Sequence, residues 1–148
     1  MNVKCTNNKG NYSVLTLPID ETTCINNKNY ISSHEWFTID GEFVGYPLTQ
    51  GNVYKVYAVF IIDSTCRYLV FDDDNLPQFF PSELFECVDN RLPFDWRFLA
   101  YETPRCKFSI VGPTLIDNYQ FIVDLIDLRP HAVSKLIEYR DNLDFWES

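Results

Sequence analysis

Residues 53–62 read Val-Tyr-Lys-Val-Tyr-Ala-Val-Phe-Ile-Ile, and every even position, Tyr54, Val56, Ala58, Phe60 and Ile62, is apolar. A period of two sustained over ten residues predicts a strand with one face in a core. The odd positions begin with Lys55 and Tyr57 and end with Val59 and Ile61, so the far half of the second face is expected to be covered as well. Turn-forming residues punctuate the chain beyond Ile62. Asp63-Ser64-Thr65 leads into a strand over 67–71, and Asp72-Asp73-Asp74-Asn75 leads into another over 76–80. Pro81-Ser82-Glu83-Leu84 has the composition of a single helical turn, because proline presets φ and the segment is too short for a full helix. Residues 85–88 then supply a closing strand. Short strands joined by tight turns pair antiparallel, and a small antiparallel barrel is the expected outcome.

The flanks carry other patterns. Residues 12–17 and 30–39 are strand-like, and Asp40-Gly41 between Trp36-Phe37-Thr38-Ile39 and Glu42-Phe43-Val44 predicts a two-residue hairpin turn, which requires positive φ at both central positions. Further strands are expected over 96–101 and 107–111. From Thr114 the period changes to about 3.6. Thr114 is the expected N-cap of a helix whose stripe is Leu115, Tyr119, Ile122, Val123 and Ile126. Asp127-Leu128-Arg129 breaks it, and Pro130 suits the first position of a second helix carrying Ala132, Val133, Leu136 and Ile137. Two short helices cannot bury their apolar stripes alone, so a helical hairpin over 114–143 is expected to pack on the sheet. The whole chain, 1–148, then forms one α+β domain, with strands mainly over 1–101. Its 148 residues, 46% hydrophobic and 16% aromatic, suffice for one well-filled core.

Twenty-one acidic residues against twelve basic ones give a net charge of −9. Such a surface repels phosphate backbones and anionic lipid, which disfavours direct nucleic-acid or membrane binding, and it attracts a basic protein. The five cysteines are widely spaced with no C-x-x-C pair, and the start of the chain lacks a signal-peptide pattern, so reduced thiols in a cytoplasmic protein are expected.

Catalytic patterns are weak. His34 and His131 are the two histidines. His34 beside Glu35 can be imagined as a base for a cysteine nucleophile, but no nucleophile elbow or local Cys/His signature accompanies it. His131 reads as a first-turn helix residue. Asp72, Asp73 and Asp74 lack the alternating spacing of a calcium loop and read as a solvated hairpin tip offering acidic contacts. Five dispersed glycines form no phosphate loop, and no ligand-spaced Cys or His pair suggests zinc. No catalytic residue, metal or cofactor is therefore expected. Tyr57, Phe79, Phe80, Trp96 and Phe98 are candidates for an aromatic groove, with one of the adjacent Phe79 and Phe80 expected to face outward.

Val3-Lys4-Cys5 with Asn7-Asn8, Leu48-Thr49-Gln50-Gly51 with Val53-Tyr54-Lys55-Val56, Tyr68-Leu69-Val70-Phe71-Asp72-Asp73, and Phe80-Pro81-Ser82-Glu83-Leu84-Phe85-Glu86 together form a phrase. It resembles the SH3-like small-barrel proteins of bacteria and phages. The resemblance implies a partly open barrel with its core at 48–88, an N-terminal hairpin inserted over 12–46 and a C-terminal addition from Asp89. Small acidic chains of this kind resemble immunity proteins of contact-dependent growth inhibition and related toxin systems. That likeness implies a non-enzymatic inhibitor whose partner is a cognate toxin domain, a basic RNase or DNase. The expected contacts are Asp72, Asp73, Asp74, Glu83 and Glu86 for charge, with Phe79 and Trp36 as anchors. The alternative is an SH3-like adaptor that reads an extended or proline-rich peptide. The sequence leaves the oligomeric state open.

Overall fold

In the computed structural model, which describes residues 1–10, 12–15, 34–37, 44–62, 65–102 and 107–147, the alternating run is interrupted at its centre. It divides into β6 (Val53–Lys55) and β7 (Ala58–Ile62), with Val56 and Tyr57 between them both buried. The break sends neighbouring side chains into different cores. Val56 joins Val3, Leu48, Val70, Phe80 and Leu84, whereas Tyr57 joins Ala58, Phe60, Leu69 and Ile122.

The two halves of this path also serve different sheets. In the first sheet β1 (Asn2–Cys5) lies between β6 and β10 (Phe85–Asp89), antiparallel to both. The second contains β7, β8 (Thr65–Phe71), β9 (Pro77–Pro81), β11 (Arg97–Glu102) and β12 (Lys107–Gly112). Its order is β11-β12-β7-β8-β9, antiparallel throughout. A 3-10 turn, Ser82–Leu84, joins β9 to β10, as Pro81 at its entry leads one to expect. The ladders of the two sheets do not merge into a closed barrel. The architecture is α+β: two antiparallel sheets and two C-terminal helices. Two further ladders pair β2 (Lys9–Gly10) with β5 (Val44–Gly45), and β3 (Tyr12–Leu15) with β4 (His34–Phe37). The Asp40-Gly41 turn lies outside the described residues.

Strand alternation places the larger sheet between two layers. Leu69 and Phe79 belong to the helix-side cluster, whereas their neighbours Val70 and Phe80 belong to the cluster shared with the smaller sheet. The far half of the second face of β7 is less covered than expected, because Ile61 is 40% exposed. Gly112 makes a close approach possible, since a Cβ there would lie 3.1 Å from the Ala58 Cβ and 3.2 Å from the Ile116 Cδ1.

Thr114 begins a 3-10 turn, Thr114–Asp117, and is not the N-cap. That role falls to Asn118, whose side-chain oxygen accepts the Phe121 N–H at 3.3 Å and opens α1 (Tyr119–Ile126). Leu128, at φ 55°, reverses the chain, and α2 (Pro130–Glu147) starts on proline as expected. Phe121, Ile122, Val123 and Leu125 of α1 and Ala132 and Leu136 of α2 are buried against the sheet. No helix of the described residues is long and apolar enough to cross a membrane.

The helices are joined by Asp124, whose carboxylate accepts from Gln120 Nε2 at 2.8 Å and lies 2.8 Å from His131 Nε2. The Gln120 hydrogen bond first, then the His131 bond, lower the pKa of Asp124 from its ordinary 3.8. A carboxylate held more acidic in the folded state stabilises the fold above its unfolded pKa, and loses that contribution as pH falls through the folded value. Chemical denaturation below pH 4 is therefore expected to show a shallower loss of stability with acidification for Asp124→Asn than for the parent chain. Parallel curves would exclude the linkage.

Candidate functional site

The β8–β9 turn gathers most of the carboxylates singled out in the sequence, and it treats them unequally. Asp72 is buried at 6% exposure, so the expectation of a wholly solvated tip is corrected here. Its Oδ1 accepts the backbone N–H groups of Asp74 at 2.9 Å and Leu76 at 3.0 Å, and its Oδ2 accepts Gln78 Nε2 at 2.7 Å. The Asp72 main chain closes the loop with Leu76 O and Asn75 N at 2.9 Å each, and Asn75 occupies the left-handed region at φ 60°. Asp72 is thus the internal brace of the turn.

Asp73 is exposed but fixed. Its Oδ1 accepts the Tyr54 hydroxyl and its Oδ2 the Thr49 hydroxyl, both at 2.6 Å, and its N–H donates to Pro47 O at 2.9 Å. Burial, and then the Asp73 carboxylate, push the Tyr54 hydroxyl above its ordinary pKa, so Tyr54 remains a donor at neutral pH. Asp74 is exposed, and its carboxylate has no hydrogen-bond partner among the described residues. From the helical layer, Arg140 Nη1 donates to Asn75 Oδ1 at 2.9 Å while its guanidinium sits 4.4 Å from the centre of the Phe71 ring. The tip is therefore held by the 47–54 segment on one side and by α2 on the other.

Glu83 and Glu86 are exposed but lie elsewhere. Five residues of β9 separate the tip from the 3-10 turn that carries Glu83, roughly 17 Å of extended chain. Glu83 sits near Cys66 and the buried Arg67, whose Nη1 donates to Phe79 O at 3.2 Å. Burial pushes the Cys66 thiol above its ordinary pKa and pulls the Arg67 guanidinium below its own. Glu86 lies on β10, opposite Lys4 of β1. The acidic candidates thus occupy three places, of which the tip alone joins two exposed carboxylates.

Phe79 is not an exposed anchor. It packs against the helix-side core, with its ring 5.7 Å from that of Phe60, while Phe80 enters the other core, so neither member of the pair faces freely outward. Both sides of the larger sheet are covered at this point, which the alternation rule by itself does not reveal. Tyr57 is buried, and Trp96 is half-buried with its Nε1 donating to the Tyr139 hydroxyl at 3.1 Å. The five aromatics considered for a groove are therefore dispersed, with Phe98 exposed. Trp36 lies in β4 opposite Ser13, and its side chain, like that of His34, is outside what the structure describes.

A shallow cleft of about 400 Å³ is lined by Met1, Asn2, Lys55, Asp89, Arg91, Leu92 and Pro93. Within it Arg91 donates to both oxygens of Asp89 at 2.9 and 2.8 Å, which holds that carboxyl well below the usual carboxylate range. Among the described residues no group of three His, Cys, Asp or Glu side chains converges as a metal site. The chemistry this arrangement offers is oriented negative charge. Sequence reasoning singled out Phe98, which is 65% exposed, but missed two other displayed apolar residues, Leu92 at 48% and Phe94 at 102%. Pro93-Phe94-Asp95, a turn phrase with an aromatic inside it, was the available signal. No family model matches the chain, and neither a curated protein nor a solved structure was found to be similar to it.

Proposed function

We propose that this chain is a non-enzymatic inhibitor that binds a basic toxin domain, an RNase or DNase, in the manner of immunity proteins of contact-dependent growth inhibition. In this reading it acts in the cytoplasm, on an SH3-like partly open barrel. The scaffold part is supported by the path of β6 and β7, shared between two sheets, and by the 3-10 turn that returns the chain to β10 beside β1. The observation that carries the functional part is the braced acidic tip. Asp73 is pinned by two hydroxyls and Asp74 projects beside it, in a chain of net charge −9. The fixed Asp73 carboxylate loses little side-chain freedom on binding, and a negative field accelerates encounter with a cationic partner.

The test is a search for a toxin gene neighbouring its own, then the affinity of the purified chain for that toxin domain, with growth rescue as the cellular readout. Joint reversal of Asp73 and Asp74 to Lys is expected to weaken binding by roughly tenfold or more at low salt and to flatten its salt dependence. Asp74→Lys alone, which spares the hydroxyl contacts, shows the same direction. Unchanged affinity and salt slope in both variants would reject the tip as the contact.

A further inference from the structure

Among the described residues β11 is an outer strand of the five-stranded sheet, and its edge is built unlike the opposite one. β9 starts at Pro77 and ends at Pro81, and prolines supply no N–H to an incoming strand, a recognised way of blunting an edge. β11 reads Arg97-Phe98-Leu99-Ala100-Tyr101-Glu102, six residues without Pro, Gly or Lys. Leu99 and Tyr101 pack on the helix-side core, so Phe98 and Ala100 share the other face, where both are exposed. The turn leading into the strand, closed by the Trp96 N–H on Pro93 O at 3.1 Å, leaves Leu92 and Phe94 exposed too. An unblunted edge bordered by apolar residues is a template for pairing.

Charge selects the occupant. The protein carries −9, so a second copy is repelled by most approaches. Among the described residues along this side the charges are compensated locally: Arg91 with Asp89 at 2.8 Å, Arg97 with Asp117 at 3.0 Å and Lys107 with Glu102 at 3.3 Å, with Asp95 the exception. A strongly cationic partner finds little net charge to meet here, whereas an identical surface meets only the weak repulsion of the two Asp95 carboxylates.

We propose that the β11 edge pairs antiparallel with the same edge of a second copy, with Leu99 on the two-fold axis. A two-fold normal to the sheet opposes only residues that share a face, which leaves two central registers for this strand. Centring on Ala100 sets Phe98 against the Glu102 carboxylate. Centring on Leu99 sets Phe98 over Ala100 of the second copy, large against small, and Arg97 against Tyr101, so the second register is the one adopted.

Sedimentation velocity on the full chain, from low to high micromolar concentration, is expected to show conversion to twice 17.4 kDa. Phe98→Lys, checked for fold by circular dichroism, is expected to weaken the dimer about 30-fold or more, through loss of the buried ring and desolvation of an unpaired ammonium against Ala100 of the second copy. The double substitution Phe98→Lys with Ala100→Glu places opposite charges across the seam twice and is expected to restore it. A monomeric mass throughout, a dimer indifferent to Phe98→Lys, or a double variant no better than the single one would each overturn the proposal.

Discussion

Replacing Phe60 with alanine is expected to destabilise the fold by about 3–5 kcal/mol, the cost of removing a fully buried phenyl ring and leaving its cavity. Phe60 is 0% exposed, stacked on Phe108 at 5.0 Å and edge-on to Phe79 at 5.7 Å, and it belongs to the cluster that anchors both helices. Its neighbour Ile61 is 40% exposed, so Ile61→Ala is expected to cost less than about 1 kcal/mol. Since domains of this size are stable by about 5–15 kcal/mol, the first substitution removes a large fraction of the total. Urea unfolding of the two variants measures the contrast directly. Similar losses at Phe60 and Ile61 would contradict the layer order, in which β7 presents its even positions to the helices.

That contrast marks how far periodicity carries. The even positions Ala58, Phe60 and Ile62 were legible because a strand's two faces differ in solvent contact, and a period of two reports that difference directly. The break at Val56 and Tyr57 was not legible, since both residues suit a strand and both are buried, each in a different core. The same limit applies to Phe79. Alternation separates it from Phe80 but cannot say that a helical layer covers its side of the sheet. Pro130 marked the start of α2 correctly because proline's fixed φ acts locally, whereas Thr114 and Asn118 are both competent caps, and packing of Ile116 decided between them by drawing residues 114–117 into a 3-10 turn. In the candidate site, the net charge and the acidic turn could be read from composition. The inward rotation of Asp72 is local, since its partners lie two, four and six residues on, and an aspartate bonding the backbone ahead of it is a turn pattern that the sequence reading passed over. The hydroxyl pair on Asp73 and the reach of Arg140 from α2 depend on contacts between segments distant in sequence, which no local pattern encodes.

The Asp72-Asp73-Asp74 run therefore offers a test in which identical residue types are expected to respond differently. Asp72→Ala strands two backbone N–H groups and the Gln78 amide, all donors to one nearly buried carboxylate. Hydrogen bonds to a charged acceptor contribute more than neutral ones, and partial access of water to the turn offsets some of the loss, so about 2–3 kcal/mol of destabilisation is expected. Asp72→Asn keeps an acceptor for the two N–H groups but sets a second amide against Gln78, so it should fall between the parent and Asp72→Ala. Asp74→Ala, which removes no side-chain hydrogen bond among the described residues, is expected to shift stability by no more than about 0.5 kcal/mol. Under the proposed function the order reverses for direct contact. Asp74→Ala weakens toxin binding in an otherwise stable chain, whereas Asp72→Ala acts through loosening of the turn and is recovered in part by conditions that favour the folded state. Equal destabilisation by Asp72→Ala and Asp74→Ala would show that the turn is not braced from within, and would remove the rigid presentation of Asp73 and Asp74 on which the inhibitor reading rests.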